Sequence, residues 1–178
     1  MTIIRPALTA DFNAITAIYA HHVLHGTATF ETTPPSEAEM LGRCNDVWSK
    51  GLPYLVAEDC GRILGFAYCN WFKPRPAFRF SAENSIYLAS DATGRGIGRL
   101  LLSELLSQAE RSGVRRLIAV IGDSDNAASI GLHRSSGFAH VGVLRSCGWK
   151  FGRWLDVVMM ERGIGNGDLT PPDADATA

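Results

Sequence analysis

Residues 83–106 read ENSIYLASDATGRGIGRLLLSELL and place three segments in a row. A short apolar strand, Ser85-Ile86-Tyr87-Leu88-Ala89, has the carboxylate of Glu83 at its start. A loop follows with glycines at 94, 96 and 98. A helix comes last, in which Ile97, Leu101 and Leu105, with Leu102 and Leu106 beside them, recur at helical spacing. Free N–H groups and the positive dipole end make the first turn of such a helix a place for anions, and glycine lets them approach the backbone closely. The stretch reads as a site for a pyrophosphate-bearing cofactor, with Glu83 as the catalytic carboxylate before it. No Gly-Lys-Ser/Thr follows the glycines, so this is not a P-loop. The spacing G-x-G-x-G in mid-chain also misses the dinucleotide fingerprint. Glycines before a helix also serve as plain turn residues, and the loop alone does not choose between the two.

The 178 residues suit one domain, and 46% hydrophobic with 20% charged residues is enough for a packed core. A net charge of -1 gives nucleic acid no broad electrostatic target. The cysteines at 44, 60, 69 and 147 are scattered without a C-x-x-C pair, which fits reduced thiols in the cytoplasm better than a disulfide frame or a zinc site. The N-terminal residues lack the apolar core of a signal peptide. No apolar run approaches the roughly 20 residues that cross a bilayer. No nucleic-acid or membrane partner is expected.

Along the chain, residues 2–5 form a short strand and 10–24 a helix with Phe12, Ile15, Ile18, Tyr19 and Val23 on one face. His21, His22 and His25 fall at its end, where the dipole suits them. His21 and His25 lie one turn apart, but no H-E-x-x-H pattern accompanies them, and no metal site is expected. Phe30 stands in a loop of small polar residues, as a hydrophobic plug or a pocket wall. Ser36 and Glu39 form a capping box for a helix running to about Lys50. Tyr54–Glu58 and Ile63–Cys69 make a hairpin. The segment from Asn70 to Phe80 crowds aromatics with Lys73, Arg75 and Arg79 and two prolines, as a loop that recognises a small anionic ligand would. Arg115–Ile121 is a strand, Asn126 caps a helix to about Ser135, and Val141–Arg145 and Trp154–Met160 are strands around a loop, 146–153. The tail from Gly163 is rich in Gly, Pro and Asp and reads as disordered. This order indicates an α/β protein whose central sheet is mixed in direction, not doubly wound.

Taken together, these pieces resemble the GNAT acetyltransferase superfamily. The resemblance rests on the strand Ser85–Ala89, the loop Thr93-Gly94-Arg95-Gly96-Ile97-Gly98, the strand Leu117–Ile121, Asn126 with Ser129, and Gly137-Phe138. Ile4-Arg5-Pro6-Ala7, Tyr54-Leu55-Val56-Ala57-Glu58, Ala82–Tyr87, Ala119–Gly122 and Gly148–Asp156 are similar more narrowly to the phosphinothricin and methionine sulfoximine N-acetyltransferases. The resemblance covers about residues 3–161. Thr93 stands where that loop usually has Gln or Arg.

The resemblance implies a GNAT fold: a mixed, mostly antiparallel sheet flanked by helices, one acetyltransferase domain over 1–162 and a tail over 163–178. It implies acetyl-CoA as donor and the amino group of a small amino-acid analogue as acceptor. Glu83 is then the general base. His133, four residues before Gly137, is the acid or proton relay for the thiolate. Ile86, Tyr87 and Leu88 hold the acetyl end, with N–H groups near Tyr87 and Leu88 as the oxyanion hole. Residues 93–98 hold the pyrophosphate, and Asn126 and Ser129 the rest of the cofactor. Phe30, Lys73, Arg75, Phe78, Asn84, Ser85, Tyr87 and Val157, with Glu83, form the acceptor site. The family resemblance also implies a homodimer, to which Gly148–Trp154 could contribute. An acetyltransferase for peptide N-termini or polyamines and a CoA-binding sensor without turnover are the alternatives. The cationic loop argues against a polyamine, and retention of Glu83 and His133 argues against a sensor.

Overall fold

The structure, a computed structural model, describes residues 1–172. The chain runs β1 (Ile3–Pro6), α1 (Phe12–His25), α2 (Glu37–Ser49), β2 (Tyr54–Asp59), β3 (Arg62–Trp71), β4 (Ser81–Leu88), α3 (Ile97–Arg111), β5 (Arg116–Gly122), α4 (Ala127–Ser135), β6 (Ala139–Lys150) and β7 (Arg153–Gly163). The seven strands form one sheet in the order β1-β2-β3-β4-β5-β7-β6. Every neighbouring pair is antiparallel except β4 and β5, which are parallel. The expected mixed sheet is therefore present.

Each helix forms where its apolar residues share a face. In α1, Phe12, Ile15, Ile18, Tyr19 and Val23 are buried, and in α3 Ile97, Leu101, Leu102, Leu105 and Ala109. The Ser36–Glu39 capping box starts α2, with Glu39 N–H donating to Ser36 Oγ at 3.3 Å and Ser36 N–H to Glu39 Oε2 at 2.7 Å. Side-chain contacts assign the helices to opposite faces. Tyr87 of β4 meets Tyr19 and His22 of α1, and Asn70 of β3 meets Asp46 of α2 and Lys50, the residue that caps its end. Asn84 and Leu88 of β4 instead reach His133 of α4 and Gly98 of α3. The core fills both layers between sheet and helices.

Three boundaries differ from those expected. Glu83 is not at the start of its strand: β4 begins at Ser81 and pairs with β3 over its whole length. The expected loop 146–153 is instead mostly strand, because β6 continues to Lys150 and turns back through Phe151 and Gly152, both at positive φ. Two left-handed residues suit the twist of a tight hairpin, but Phe in place of Asn or Asp hides that turn. The tail starts later than Gly163. Ile164 is 4% exposed and donates its N–H to Arg115 O at 3.0 Å, so hydrophobic burial and a backbone bond order this segment. Residues 173–178 of the expected tail lie outside the described residues.

At the end of β5, Gly122 lies so close to the loop after α1 that a Cβ there would collide with the carbonyl oxygen of Thr27. The obstacle is backbone and cannot rotate away. Gly122→Ala is expected to lose roughly 1–3 kcal/mol of stability, read as a lower urea midpoint at unchanged m-value.

Candidate active site

The parallel pair β4–β5 is short. Its register covers only Ser81–Asn84 against Arg116–Ala119, although β4 runs on to Leu88 and β5 to Gly122. Beyond Asn84 the two strands part. On the other side of β4 the antiparallel ladder fixes which groups face the gap. Phe72 N–H donates to Ser81 O and Ala89 N–H to Leu64 O. In an antiparallel ladder the bonded residues alternate, so 81, 83, 85, 87 and 89 bond to β3, while 82, 84, 86 and 88 turn towards β5. Ala82 and Asn84 find β5 there; Ile86 and Leu88 open on the gap. This corrects one expectation: the Tyr87 N–H belongs to the β3 ladder, and the N–H groups facing the gap are those of Ile86 and Leu88. The carbonyl of Leu88 is met by a side chain, as His22 Nε2 lies 2.8 Å from it. A carbonyl only accepts, so that nitrogen carries the proton. Burial lowers the His22 pKa and keeps the ring neutral.

Glu83, Ser85 and Tyr87 project from the α1/α2 face. Burial pushes the Glu83 carboxyl above its ordinary value, and the Lys73 charge offsets part of the rise. No hydrogen bond or ion pair engages the Glu83 carboxylate among the described residues. Such a group can take up a proton from a bound molecule. Opposite Glu83 and Ser85 on β3 stand Asn70 and Tyr68. These two line a cavity of about 520 Å³ that extends beneath α2 to Met40, Arg43 and Asp46. Sequence reasoning read Tyr68 only as hairpin and Asn70 only as the first residue of the cationic loop, and placed neither beside Glu83. The two-residue alternation along β3, matched against that of β4, is the signal that would have placed them beside Glu83.

Asn84 and His133 lie on the opposite face, and both expected roles change. Asn84 is 6% exposed and its Nδ2 sits 2.9 Å from His133 Nε2. His133 Nδ1 lies 2.8 Å from the Ser129 carbonyl, so Nδ1 carries the proton and Nε2 accepts from Asn84. Burial lowers the His133 pKa and holds the ring neutral. With its one N–H on a backbone carbonyl and its lone pair on Asn84, this imidazole has no free proton to give, and the expectation of an acid for the thiolate is corrected to a buried brace. Asn84 points away from Glu83 and leaves the acceptor site. Its Oδ1 is buried without a partner.

The glycine loop fits an anion. Gly94 and Gly96 have φ of 73° and 78°, a region open to glycine, and a Cβ at either would meet nothing within 4 Å. Gly96 is the N-cap of α3 and offers no side chain to its first turn; the Arg99 N–H donates to Gly96 O at 3.1 Å, which leaves the N–H groups of Ile97 and Gly98 available. Gly98 is different: a Cβ there would meet Leu132 at 3.3 Å, so its lack of a side chain serves packing between α3 and α4. Thr93 turns its hydroxyl to Ser90 O at 3.2 Å, and Arg95 is exposed. Asn126 is held as a cap, its Oδ1 accepting from Ser129 N–H at 3.2 Å and its Nδ2 reaching Gly122 O at 3.4 Å. The open glycines, the bare helix turn and the free N–H groups of the gap together fit a cofactor with a pyrophosphate and an extended amide-bearing arm.

The remaining expected acceptor residues fall in two places. Lys73, Arg75 and Phe78 are exposed on the loop between β3 and β4, and neither cation is in an ion pair among the described residues. Phe78 packs its edge on Phe72, and Lys73 lies over the Phe72 ring. Phe30 lies against Gly122 and Gly148, and Val157 is the β7 partner of Gly122. The structure thus groups Phe30 with Val157, and Lys73 with Glu83.

A model of the acetyltransferase (GNAT) domain matches residues 4–159. The chain belongs to that family. It is 54% identical over 163 residues to a phosphinothricin N-acetyltransferase of Alcaligenes faecalis, covering 92% of this chain and 83% of the relative. It is 40% identical to an L-methionine sulfoximine/L-methionine sulfone acetyltransferase of Pseudomonas aeruginosa, covering 90% of this chain and 94% of the relative. Among solved structures, a phosphinothricin acetyltransferase of Sinorhizobium meliloti in complex with AcCoA superposes with a TM-score of 0.95 at 46% identity, covering 98% of this chain and 94% of that one.

The buried neutral histidines make stability depend on pH. A histidine whose folded pKa is depressed leaves the unfolded chain binding more protons as pH falls below its ordinary value of 6.5. Stability is therefore complete above that value and declines as pH falls towards the depressed folded value. Chemical denaturation from about pH 7.5 to about pH 5.5 is expected to show this decline, with a smaller slope in His133→Gln because one of the two contributing rings is gone.

Proposed function

We propose that this chain transfers the acetyl group of acetyl-CoA to the amino group of a small amino-acid analogue such as phosphinothricin, methionine sulfoximine or methionine sulfone. The observation that carries the reading is Glu83: a half-buried, unpaired carboxylate of raised pKa, on the strand that borders the β4–β5 gap. The names of the relatives support the choice of acceptor.

Acetyl-CoA supplies an acyl group already activated as a thioester. The N–H groups of residues 94–98 and the first turn of α3 hold its pyrophosphate. Those of Ile86 and Leu88 donate to the acetyl oxygen as negative charge develops there. Glu83 takes the proton that the acceptor ammonium must lose before its nitrogen has a lone pair, directly or through a water. Lys73 and Arg75 pair with the carboxylate and the phosphinyl, sulfoximine or sulfone oxygens of the acceptor. Phe30, Phe78, Tyr87 and Val157 wall the site, with Ser85 beside Glu83. Asn126 and Ser129 border the cofactor arm through the start of α4, and His133 braces Asn84 where the strands part.

The same reading includes one catalytic domain over 1–162, a cytoplasmic setting and a homodimer. All four cysteines are free, which suits a reducing compartment. Among the described residues no helix is long and apolar enough to cross a membrane. The edge strand β6 and its hairpin expose Val141, Leu144, Trp149, Phe151 and Trp154, an apolar strip suited to a second copy.

Glu83→Gln is expected to lower kcat roughly 10²- to 10⁴-fold while acetyl-CoA still binds, measured by CoA release and by calorimetry. In the wild type, kcat/KM should rise with pH through the raised Glu83 pKa, since only the carboxylate accepts a proton, and the variant should lose that limb. Replacing Lys73 and Arg75 together by alanine should raise the acceptor KM roughly ten- to a hundredfold, the loss of about one charge-assisted hydrogen bond, with the acetyl-CoA KM unchanged. Wild-type turnover of spermidine or a short peptide, and of none of the three analogues, would overturn the acceptor assignment.

A further inference from the structure

Lys150 ends β6 at the hairpin tip and is 3% exposed, although its neighbours Trp149 and Phe151 are both more than half exposed. Its ammonium makes no ion pair among the described residues. It lies 2.8 Å from Gly26 O, 2.7 Å from Thr29 O and 3.5 Å from His22 O. These carbonyls belong to the end of α1 and to the loop after it. A primary ammonium has three protons, and three acceptors converge on it. A buried charge is costly unless hydrogen-bonded, so the carbonyls and the cation hold one another in place.

The loop so held is the one that carries Phe30. It is built into its surroundings on every side. Gly122 and Gly148 lack side chains where Thr27 and Phe30 come up against them. The Thr29 hydroxyl lies 2.9 Å from Tyr19 Oη, and Tyr19 Oη donates to Glu31 at 2.9 Å. Tyr19 in turn packs edge-on against Tyr87, with ring centroids 4.9 Å apart. The Glu31–Arg43 pair is partly exposed and adds little. Lys150 is the cation that reaches the loop backbone itself.

Resting on the acceptor site proposed above, we propose that Lys150 is a positioning residue for the transfer reaction: by gathering the carbonyls of His22, Gly26 and Thr29 it fixes loop 26–31 so that Phe30 forms a wall of the acceptor site. The hairpin tip that carries Lys150 thereby sets acceptor affinity from outside the reacting groups. Among the described residues Lys150 makes no hydrogen bond to the glycine loop or to β4 and meets β4 only through His22, its longest contact at 3.5 Å, so the effect falls mainly on the acceptor.

Lys150→Met keeps the length and removes the charge and the donors. The test measures acceptor KM, acetyl-CoA KM and kcat, with the best acceptor of the wild type, together with amide hydrogen exchange of residues 26–31 in the absence of any substrate. Expected are an acceptor KM at least tenfold higher, an acetyl-CoA KM within twofold of wild type, and exchange in 26–31 at least tenfold faster with β7 unchanged. Exchange needs no acceptor, so it tests the clamp even if the assigned acceptor class is wrong. Wild-type exchange in the loop, a wild-type acceptor KM, or a fall in kcat with both KM values unchanged would each overturn the proposal. If Lys150→Met does not fold, Lys150→Gln removes the charge and keeps an amide donor; it should raise the acceptor KM and speed exchange in 26–31 with the acetyl-CoA KM within twofold of wild type, and unchanged exchange, an unchanged acceptor KM or equal changes in both KM values would overturn the proposal.

Discussion

The structure depends on a ladder that stops early. β4 and β5 hold together through four parallel pairs and then diverge, although both strands continue. A sheet interior that opens leaves backbone donors and acceptors without partners, and buried groups of that kind must be satisfied. The Leu88 carbonyl has its partner in His22, brought from α1. The N–H groups of Ile86 and Leu88 have none among the described residues, which leaves them directed at whatever enters the gap. The same divergence places α3 and its glycine loop beyond the end of β4, so that an anion at the helix start and an arm in the gap lie along one path.

Alternation along β4 then divides the labour. Glu83, Ser85 and Tyr87 face α1 and α2; Asn84, Ile86 and Leu88 face α3 and α4. A residue cannot serve both sides. Asn84 belongs to the brace with His133, and its neighbour Glu83 to the face on which the proposed proton transfer takes place. The Asn84–His133–Ser129 chain sits at the last β4–β5 pair, Asn84 with Ala119, and rigidifies the point where the ladder ends. A neutral ring is what such a joint needs, because a buried imidazolium would require an anionic partner, and among the described residues no carboxylate hydrogen-bonds to it. The depressed histidine and the raised Glu83 share one cause, burial, acting on groups of opposite charge type.

Local features were readable from the amino-acid order; relations between distant segments were not. Gly94 and Gly96, the apolar stripe of α3 and the Ser36–Glu39 box each depend on a few neighbouring residues, and each stands where the pattern placed it. The true start of β4 was hidden because Ser81, Glu83 and Ser85 present polar groups on one face of the strand, opposite Asn70 and Tyr68 of β3, so the apolar pattern does not begin until Ile86. The turn at Phe151-Gly152 was hidden because it lacks the usual Asn or Asp. His133 was assigned by its distance from Gly137, but the partner of its Nε2, Asn84, comes from a strand 49 residues earlier. Lys150 gave no sign at all, since the three carbonyls it meets lie more than a hundred residues before it in sequence.

That last contact ties the edge of the sheet to its centre. At the hairpin tip, strand alternation turns Lys150 inward and leaves Trp149 and Phe151 outward, with Trp154 opposite Trp149. The inward side chain grips loop 26–31; the outward ones form the apolar strip assigned to a second copy. The two sides are joined by a two-residue turn with both residues at positive φ, which has little room to deform. A partner that covers the tryptophans therefore restricts the same turn from which Lys150 reaches the loop. In the proposed homodimer, association and the placement of Phe30 therefore share one element, the hairpin tip, whose outward face carries the tryptophans and whose inward face carries Lys150.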